Sequence, residues 1–183
     1  MIVSWLFSVD ANIPSVSETR EEAISILTDG DRAVRQLIAQ LPADALTRPG
    51  LGGGDWSPKD LVGHLASWEE HALAALEAWD RDEGAPIDRD TYTRGTNAVN
   101  ADAVAAKASL TVEEVWRDAG VAHSTLVDRI AQMPDSRWVN PATSRGRKPL
   151  GHRLGQILGG PAGGFRHAQA HLKTLTAFVE GFR

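Results

Sequence analysis

Two histidines one helical turn apart form the clearest chemical pattern in the sequence. They belong to the segment His167-Ala168-Gln169-Ala170-His171, and side chains four residues apart on a helix project from the same face. Two imidazoles placed in this way can converge on one metal ion, although such a pair alone is more often two polar residues at a helix edge. A metal site therefore needs a third ligand from elsewhere in the chain.

His64 is the candidate for that third ligand. It follows Ser57-Pro58-Lys59-Asp60, which combines a capping box with proline at the first helical position and so predicts the start of a helix. Apolar residues then recur at spacings of three and four, and His64 borders their stripe. The stripe consists of Leu61, Leu65, Trp68, Ala72, Ala75 and Trp79.

Three imidazoles would leave a coordination position open for water or substrate, which is typical of reactive metal sites. We expect a divalent ion at His64, His167 and His171. Zinc suits three imidazoles best, and nickel and iron(II) are also compatible with this ligand type.

The remaining histidines are weaker candidates. His71 lies two turns beyond His64, and His123 neighbours apolar positions of a later helix. Either could be an alternative ligand, an acid or base, or a substrate contact. Taken singly, His71, His123 and His152 are more typical of hydrogen-bonded or solvated imidazoles. No residue is assigned a catalytic role from the sequence.

Composition limits the classes of function. The 183 residues are 42% hydrophobic and carry a net charge of -5, which predicts one globular domain and argues against a nucleic-acid partner. No apolar run is long enough to span a bilayer, so we expect no membrane insertion. Cysteine is absent, which excludes disulfides and thiolate ligands and agrees with a cytoplasmic location.

Most of the chain follows a helical pattern, with no credible strand, and predicts an all-α fold. We expect an extension over residues 1–17 and a single domain over residues 18–183. Four principal helices are predicted, and capping boxes at Thr19 and Thr111 begin the first and the third. The fourth should run from Phe165 to the end of the chain, after a glycine-rich approach.

The predicted connections differ in length. Residues 81–109 form a long crossover between helices two and three, with a short helix around residues 98–108. Residues 135–149 are predicted as a polar, basic loop, followed by a helical turn over residues 150–158. The basic cluster Arg145, Arg147, Lys148 and Arg153 is more typical of a solvated loop than of an anion site.

Several of these motifs together resemble a known group of proteins. They are Trp56-Ser57-Pro58-Lys59-Asp60-Leu61, His64-Leu65, Trp68-Glu69 and the His167-xxx-His171 pair. They resemble the DinB-like superfamily, which includes DinB/YfiT metal-binding proteins, the mycothiol-dependent maleylpyruvate isomerase amino-terminal domain and ClbS/DfsB proteins. The likeness spans about residues 19–182.

The resemblance implies a four-helix bundle of up-down-down-up topology. It also implies a metal site in which the family's helix-two histidine matches His64 and its helix-four pair matches His167 and His171. Characterised relatives include thiol-dependent transferases and isomerases, and members often form dimers, so we expect a homodimer.

The leading functional hypothesis is a metal-dependent enzyme. Its ion would activate a low-molecular-weight thiol, or water, for transfer to or hydrolysis of an electrophilic small molecule. The thiol must come from outside, because the chain has no cysteine. Arg145, Arg147 or Lys148 could receive its carboxylates.

Two alternatives stay open at this point. One is a metal-free ClbS/DfsB-like protein that binds or inactivates a small molecule, with Glu69, His71 or Asn97 as polar groups. The other is a dimeric bundle with a vestigial site. If the protein acts on or binds a small molecule, we expect His71, Asn97 and His123 to contact it.

Overall fold

The computed structural model describes residues 18–182, and over this range the chain is helical, without a single β-strand. This confirms the predicted all-α class. The predicted extension over residues 1–17 lies outside the described residues. None of the helices in residues 18–182 is long and apolar enough to cross a membrane.

Eight α-helices lie within residues 18–182. They are α1 (Arg20–Ile38), α2 (Pro58–Asp80), α3 (Pro86–Arg94), α4 (Thr96–Lys107), α5 (Val112–Ala131), α6 (Asp135–Val139), α7 (Leu150–Ile157) and α8 (His167–Glu180). The four longest, α1, α2, α5 and α8, correspond to the predicted principal helices. Helix α2 packs against α5 and α8, while α1 packs against α8 and α5.

Three of these long helices begin where their capping residues predict. In each, the side-chain oxygen of the capping residue accepts a hydrogen bond from the backbone N–H of the third helical residue. The carboxylate of that third residue in turn accepts a hydrogen bond from the backbone N–H of the capping residue. The capping residues are Thr19, Ser57 and Thr111. Each box satisfies two backbone donors that would otherwise lack partners. The helix starts are thus fixed by local sequence.

Helix α2 is buried on more than the predicted stripe. Val62, Ala66 and Ser67 lie off that stripe and are at most 5% exposed. The helix has neighbours on many sides because α3, α4, α5, α7 and α8 all contact it. It therefore runs through both apolar clusters of the core, and a polar side chain on it can lie deep inside the protein.

The crossover between α2 and α5 is more ordered than its weak sequence pattern indicates. The predicted short helix is present as α4, and α3 is an additional helix that was not predicted. Both pack against α2. Lys107 at the end of α4 donates hydrogen bonds to Ser67 and Glu70 of α2, which holds the crossover against the central helix.

The predicted loop over residues 135–149 contains the five-residue helix α6, and here the prediction was wrong in part. Trp138 of α6 is 4% exposed, stacks on Phe165 and donates a hydrogen bond to the Glu18 carbonyl. Burial of a large aromatic ring stabilises this short segment. The predicted turn over residues 150–158 is confirmed as α7.

Helix α8 begins at His167, two residues later than predicted. Phe165 has a positive φ of 57°, which a right-handed helix does not allow, and its side chain is 1% exposed. The apolar spacing that placed Phe165 in the helix reflects its burial in the core instead. The helix that carries the histidine pair therefore has His167 at its first position.

Candidate metal centre

The structure brings together the three histidines that the sequence singled out. His64 Nε2 lies 3.0 Å from His167 Nε2, and one ligand atom from each of His64, His167 and His171 lies within 4.8 Å of the others. Residues 18–182 contain no second cluster of three or more potential metal ligands of this kind. The arrangement could bind a divalent metal ion.

His64 is held from several sides. It is 2% exposed on α2, and its ring packs against Trp56 with 4.8 Å between the ring centroids. The rings of His167 and His171 stand almost perpendicular to it, at 4.7 and 5.3 Å. This enclosure leaves the imidazole little rotational freedom, so its nitrogen already faces the partner histidines.

The loop before α8 positions His167. The His167 backbone N–H donates a hydrogen bond to the Leu158 carbonyl, and the preceding Arg166 forms an ion pair of 2.6 Å with Glu18. Gly160 packs directly against the imidazole, because a Cβ atom at that position would lie 2.7 Å from His167 Cδ2. A side chain at residue 160 would thus displace the ring.

The three imidazoles are surrounded by apolar groups and by each other. Burial, followed by the charges of His167 and His171, lowers the pKa of His64 to about 3. Burial, followed by the charge of His171, lowers the pKa of His167 to about 4, and burial lowers the pKa of His171. All three side chains are therefore neutral near pH 7, which is the form that ligates metals.

Hydrogen bonding within the cluster is incomplete. His64 Nδ1 and His171 Nε2 are buried and have no partner within residues 18–182. A buried nitrogen without a partner is destabilising. The facing pair His64 Nε2 and His167 Nε2 needs either one shared hydrogen or a common cation, and the 3.0 Å between them is close to the roughly 3.3 Å expected for two nitrogens on one tetrahedral zinc. The residues fit a divalent ion.

A cavity of about 420 Å³ adjoins the three histidines. This volume suits a small molecule. Apart from the histidines, its walls consist of Trp56, Trp68, Thr96, Asn97, Asn100, Gln156, Ile157 and Gly160. Trp68 donates a hydrogen bond to Asn100 Oδ1, so the amide group of Asn100 keeps its two N–H donors for other partners. The cavity thus combines aromatic walls with amides at fixed positions.

Comparison with known families assigns the chain to one of them. The sequence profile of the mycothiol maleylpyruvate isomerase N-terminal domain family matches residues 27–155, more than half of the chain. The chain belongs to this family. The predicted resemblance to the DinB-like superfamily is therefore confirmed. The match includes His64 but ends before His167 and His171.

The fold is also similar to a solved structure. A crystal structure of an uncharacterised protein from Escherichia coli UTI89 superposes with a TM-score of 0.74 over 92% of this chain and 96% of that chain. The two sequences are 13% identical, so the likeness concerns the fold alone. A comparison with curated proteins found no match.

The other three candidate site residues of this family member lie in three different places. Asn97 lines the histidine cavity. His71 packs against the Trp68 ring in a T-shaped arrangement but does not line the cavity, and burial lowers the pKa of His71. His123 is hydrogen-bonded at 2.8 Å to Glu69 on the α5-facing side of α2. Their substrate contacts stay predictions.

The pair of His123 and Glu69 has an electrostatic character opposite to that of the metal-site histidines. Burial alone would lower the pKa of His123, but the hydrogen bond and charge of Glu69 raise it above its usual value. Burial raises the pKa of Glu69. The pair therefore retains a proton to a higher pH than an isolated histidine does.

Several cavity residues were not identified from the sequence. Trp56 was noted only as part of the motif at the start of helix two, and in the structure its ring packs against the His64 ring. Thr96 and Gln156 come from α4 and α7, whose positions relative to α2 no local pattern reveals. Gly160 could have been found, because a glycine-rich stretch next to chemically active residues often marks close approach of the backbone.

In the metal-free protein, we expect His64 and His167 to remain neutral at pH 5.5 while His123 is protonated. The folded-state pKa values of His64 and His167 are about 3 and about 4, so the unfolded chain binds more protons from pH 6.5 down to about 3. These two groups thus stabilise the fold fully above pH 6.5 and progressively less below it. Imidazole nitrogen chemical shifts across a pH titration measure each state; protonation of His64 near pH 6.5 would contradict the enclosure described above.

Substitution of Gly160 by alanine should disturb the site more than it disturbs the fold. The new Cβ would push against His167, so zinc affinity should fall at least about tenfold. Gly163→Ala is the matched control, since Gly163 also has a positive φ but a Cβ there meets nothing within 4 Å. Zinc titration by calorimetry and urea unfolding of both variants separate the two effects. Equal zinc affinity in the two variants would show that Gly160 does not position His167.

Proposed function

We propose that this protein is a metal-dependent enzyme in which His64, His167 and His171 hold a divalent ion, with zinc as the best match. The ion would activate a low-molecular-weight thiol, or water, for attack on an electrophilic small molecule. The observation that carries the proposal is the convergence of three neutral imidazoles, two of them buried and that of His171 half-buried, beside a cavity of about 420 Å³.

The donor set supports a reactive rather than a purely structural ion. Structural zinc sites usually have four protein ligands, whereas catalytic sites have three and keep one position open. Within residues 18–182 the cluster has three members and no adjoining cysteine or carboxylate. A bound divalent ion supplies Lewis acidity and lowers the pKa of a thiol or water close to neutrality.

The residues of the chain would bind and orient the reactants. The three imidazoles present neutral nitrogens without first having to release protons at pH 7. Trp56 and Trp68 form apolar walls that exclude bulk water from part of the cavity. Asn97 and Asn100 offer amide groups for a polar substrate, and the hydrogen bond from Trp68 fixes the orientation of Asn100.

Family membership supports a thiol as the activated nucleophile. The family is named for a mycothiol-dependent reaction on maleylpyruvate, and a thiol must be external because the chain has no cysteine. We extend the proposal to the up-down-down-up bundle and to a homodimer. The crossover helices α3 and α4 support the former, since they supply the length needed for α2 and α5 to run parallel.

Purified without chelators, the protein should contain about one divalent ion per chain. His64→Gln, His167→Gln and His171→Gln should each lower metal occupancy at least about tenfold, because two remaining imidazoles form a much weaker site. Elemental analysis by mass spectrometry measures occupancy. His71→Gln is the matched control, as His71 lies nearby on α2 but outside the cavity lining, and it should keep full occupancy.

Far less than one ion per chain in the wild type, together with unchanged stability of His64→Gln, would contradict the metal proposal. That result would favour the metal-free binding protein, whose cavity includes Asn97. Ligand binding to chelator-treated protein would then be the relevant measurement.

The zinc-loaded protein should convert an electrophilic small molecule when a thiol is added, with the thiol either transferred to the product or released again after an isomerisation. Mycothiol with maleylpyruvate is the first pair to assay, followed by other small thiols with a chromogenic electrophile. Turnover should require both the thiol and the metal, and His171→Gln should reduce it in step with its loss of metal. Turnover that is independent of the thiol would indicate water as the nucleophile and a hydrolase instead.

A further inference from the structure

A second cavity, of about 300 Å³, lies beside the loop between α6 and α7. Four basic side chains line it: Arg145, Arg147, Lys148 and Arg153. We call it the basic pocket. It shares no lining residue with the histidine cavity, although Arg153 donates a hydrogen bond to Gln156, which lines the latter.

The loop that carries three of these cations has a defined backbone structure. Its ends pair through a bridge between Pro141 and Pro149, and the Gly146 N–H donates a hydrogen bond to the Thr143 carbonyl. Arg137 donates hydrogen bonds to the carbonyls of Pro141 and Ala142, each at 3.1 Å. These hydrogen bonds restrict the backbone conformation of the loop, so its side chains project from fixed positions.

Contacts with the end of α2 anchor the loop further. Ser144 binds the Asp82 carboxylate through its backbone N–H at 2.6 Å and also through its hydroxyl group. The hydrogen bond from the Ser144 hydroxyl lowers the pKa of Asp82 most, and the one from the Ser144 backbone lowers it next. The charge of Arg145 lowers the pKa of Asp82 by less. Asp82 is therefore occupied by the loop itself.

The positive charge in the pocket is only partly balanced by acidic side chains. Arg153 forms an ion pair with Asp88, which also lines the pocket. Among the ion pairs within residues 18–182, none includes Arg145, Arg147 or Lys148. Three unpaired cations around one cavity are notable in a chain whose net charge is -5.

Oxyanions match this arrangement. Guanidinium groups donate paired hydrogen bonds to carboxylate and phosphate oxygens, and a lysine adds a compact charge. Several cations around one site favour a multiply charged anion over a single carboxylate. We propose that the basic pocket binds the phosphate group of a small molecule. The proposal does not depend on metal binding at the histidines.

Binding of inorganic phosphate and pyrophosphate to the full-length, zinc-loaded protein tests this site. Calorimetry at low ionic strength should show saturable binding, tighter for pyrophosphate. The triple variant R145Q/R147Q/K148Q should bind pyrophosphate at least about tenfold more weakly. These side chains are exposed, so their replacement leaves the core intact.

Two further variants make the result specific. R32Q/R89Q/R117Q removes the same amount of charge from exposed arginines elsewhere and should retain affinity within about twofold. R145K/R147K keeps the charge but loses the guanidinium groups that donate paired hydrogen bonds. Its affinity for pyrophosphate should therefore lie between those of the wild type and the triple variant.

Three outcomes would overturn the proposal. The first is absence of saturable binding to the wild type. The second is an equal loss in R32Q/R89Q/R117Q, which would mean that only net charge matters. The third is loss of binding in His64→Gln, which would locate the anion at the histidine cluster and its metal instead.

Discussion

The approach of two buried imidazoles, His64 on α2 and His167 at the start of α8, is the interaction on which the site depends. Their Nε2 atoms lie 3.0 Å apart, with no carboxylate among the causes that shift their pKa values. Protonation of both rings would bring two charges together in a poorly solvated interior, which is strongly unfavourable. Packing therefore selects the neutral form of each ring, and that same form is the one with lone pairs for a cation.

Helix α2 separates two polar environments of opposite character. Toward α8 it presents His64 to other histidines, and toward α5 it presents Glu69 to His123. The carboxylate stabilises a protonated imidazole on the second side, whereas within residues 18–182 no carboxylate belongs to the cluster on the first side. Because Glu69 Oε1 is engaged by His123, this acidic residue does not compete for the histidine cluster. Burial of α2 by several neighbouring helices makes this separation possible.

Local sequence predicts most helix starts and the three histidines of the cluster, but it does not predict the contacts between distant segments. Capping boxes fixed the starts of α1, α2 and α5, since they depend on hydrogen bonds within four residues. The histidine pair and its candidate partner His64 were also found from spacing and residue type. The start of α8 was misplaced because Phe165 has the apolar character of a helix residue but a positive φ. Helix α6 was missed because its stability comes from Trp138 contacts with distant segments, and the lining of the cavity depends on such tertiary contacts throughout.

The separation of His64 and His167 by 103 positions has a consequence for biosynthesis. During translation, α2 leaves the ribosome long before α8 is made, and a nascent chain at that stage offers only one imidazole of the cluster, that of His64. One imidazole binds divalent ions weakly, so a metal cannot act as a template for the early folding of α2. That helix must instead gain its early stability from contacts with the helices synthesised before α8, which are α3, α4 and its principal neighbour α5. A divalent ion held by all three histidines would accordingly bind only after α8 has been made.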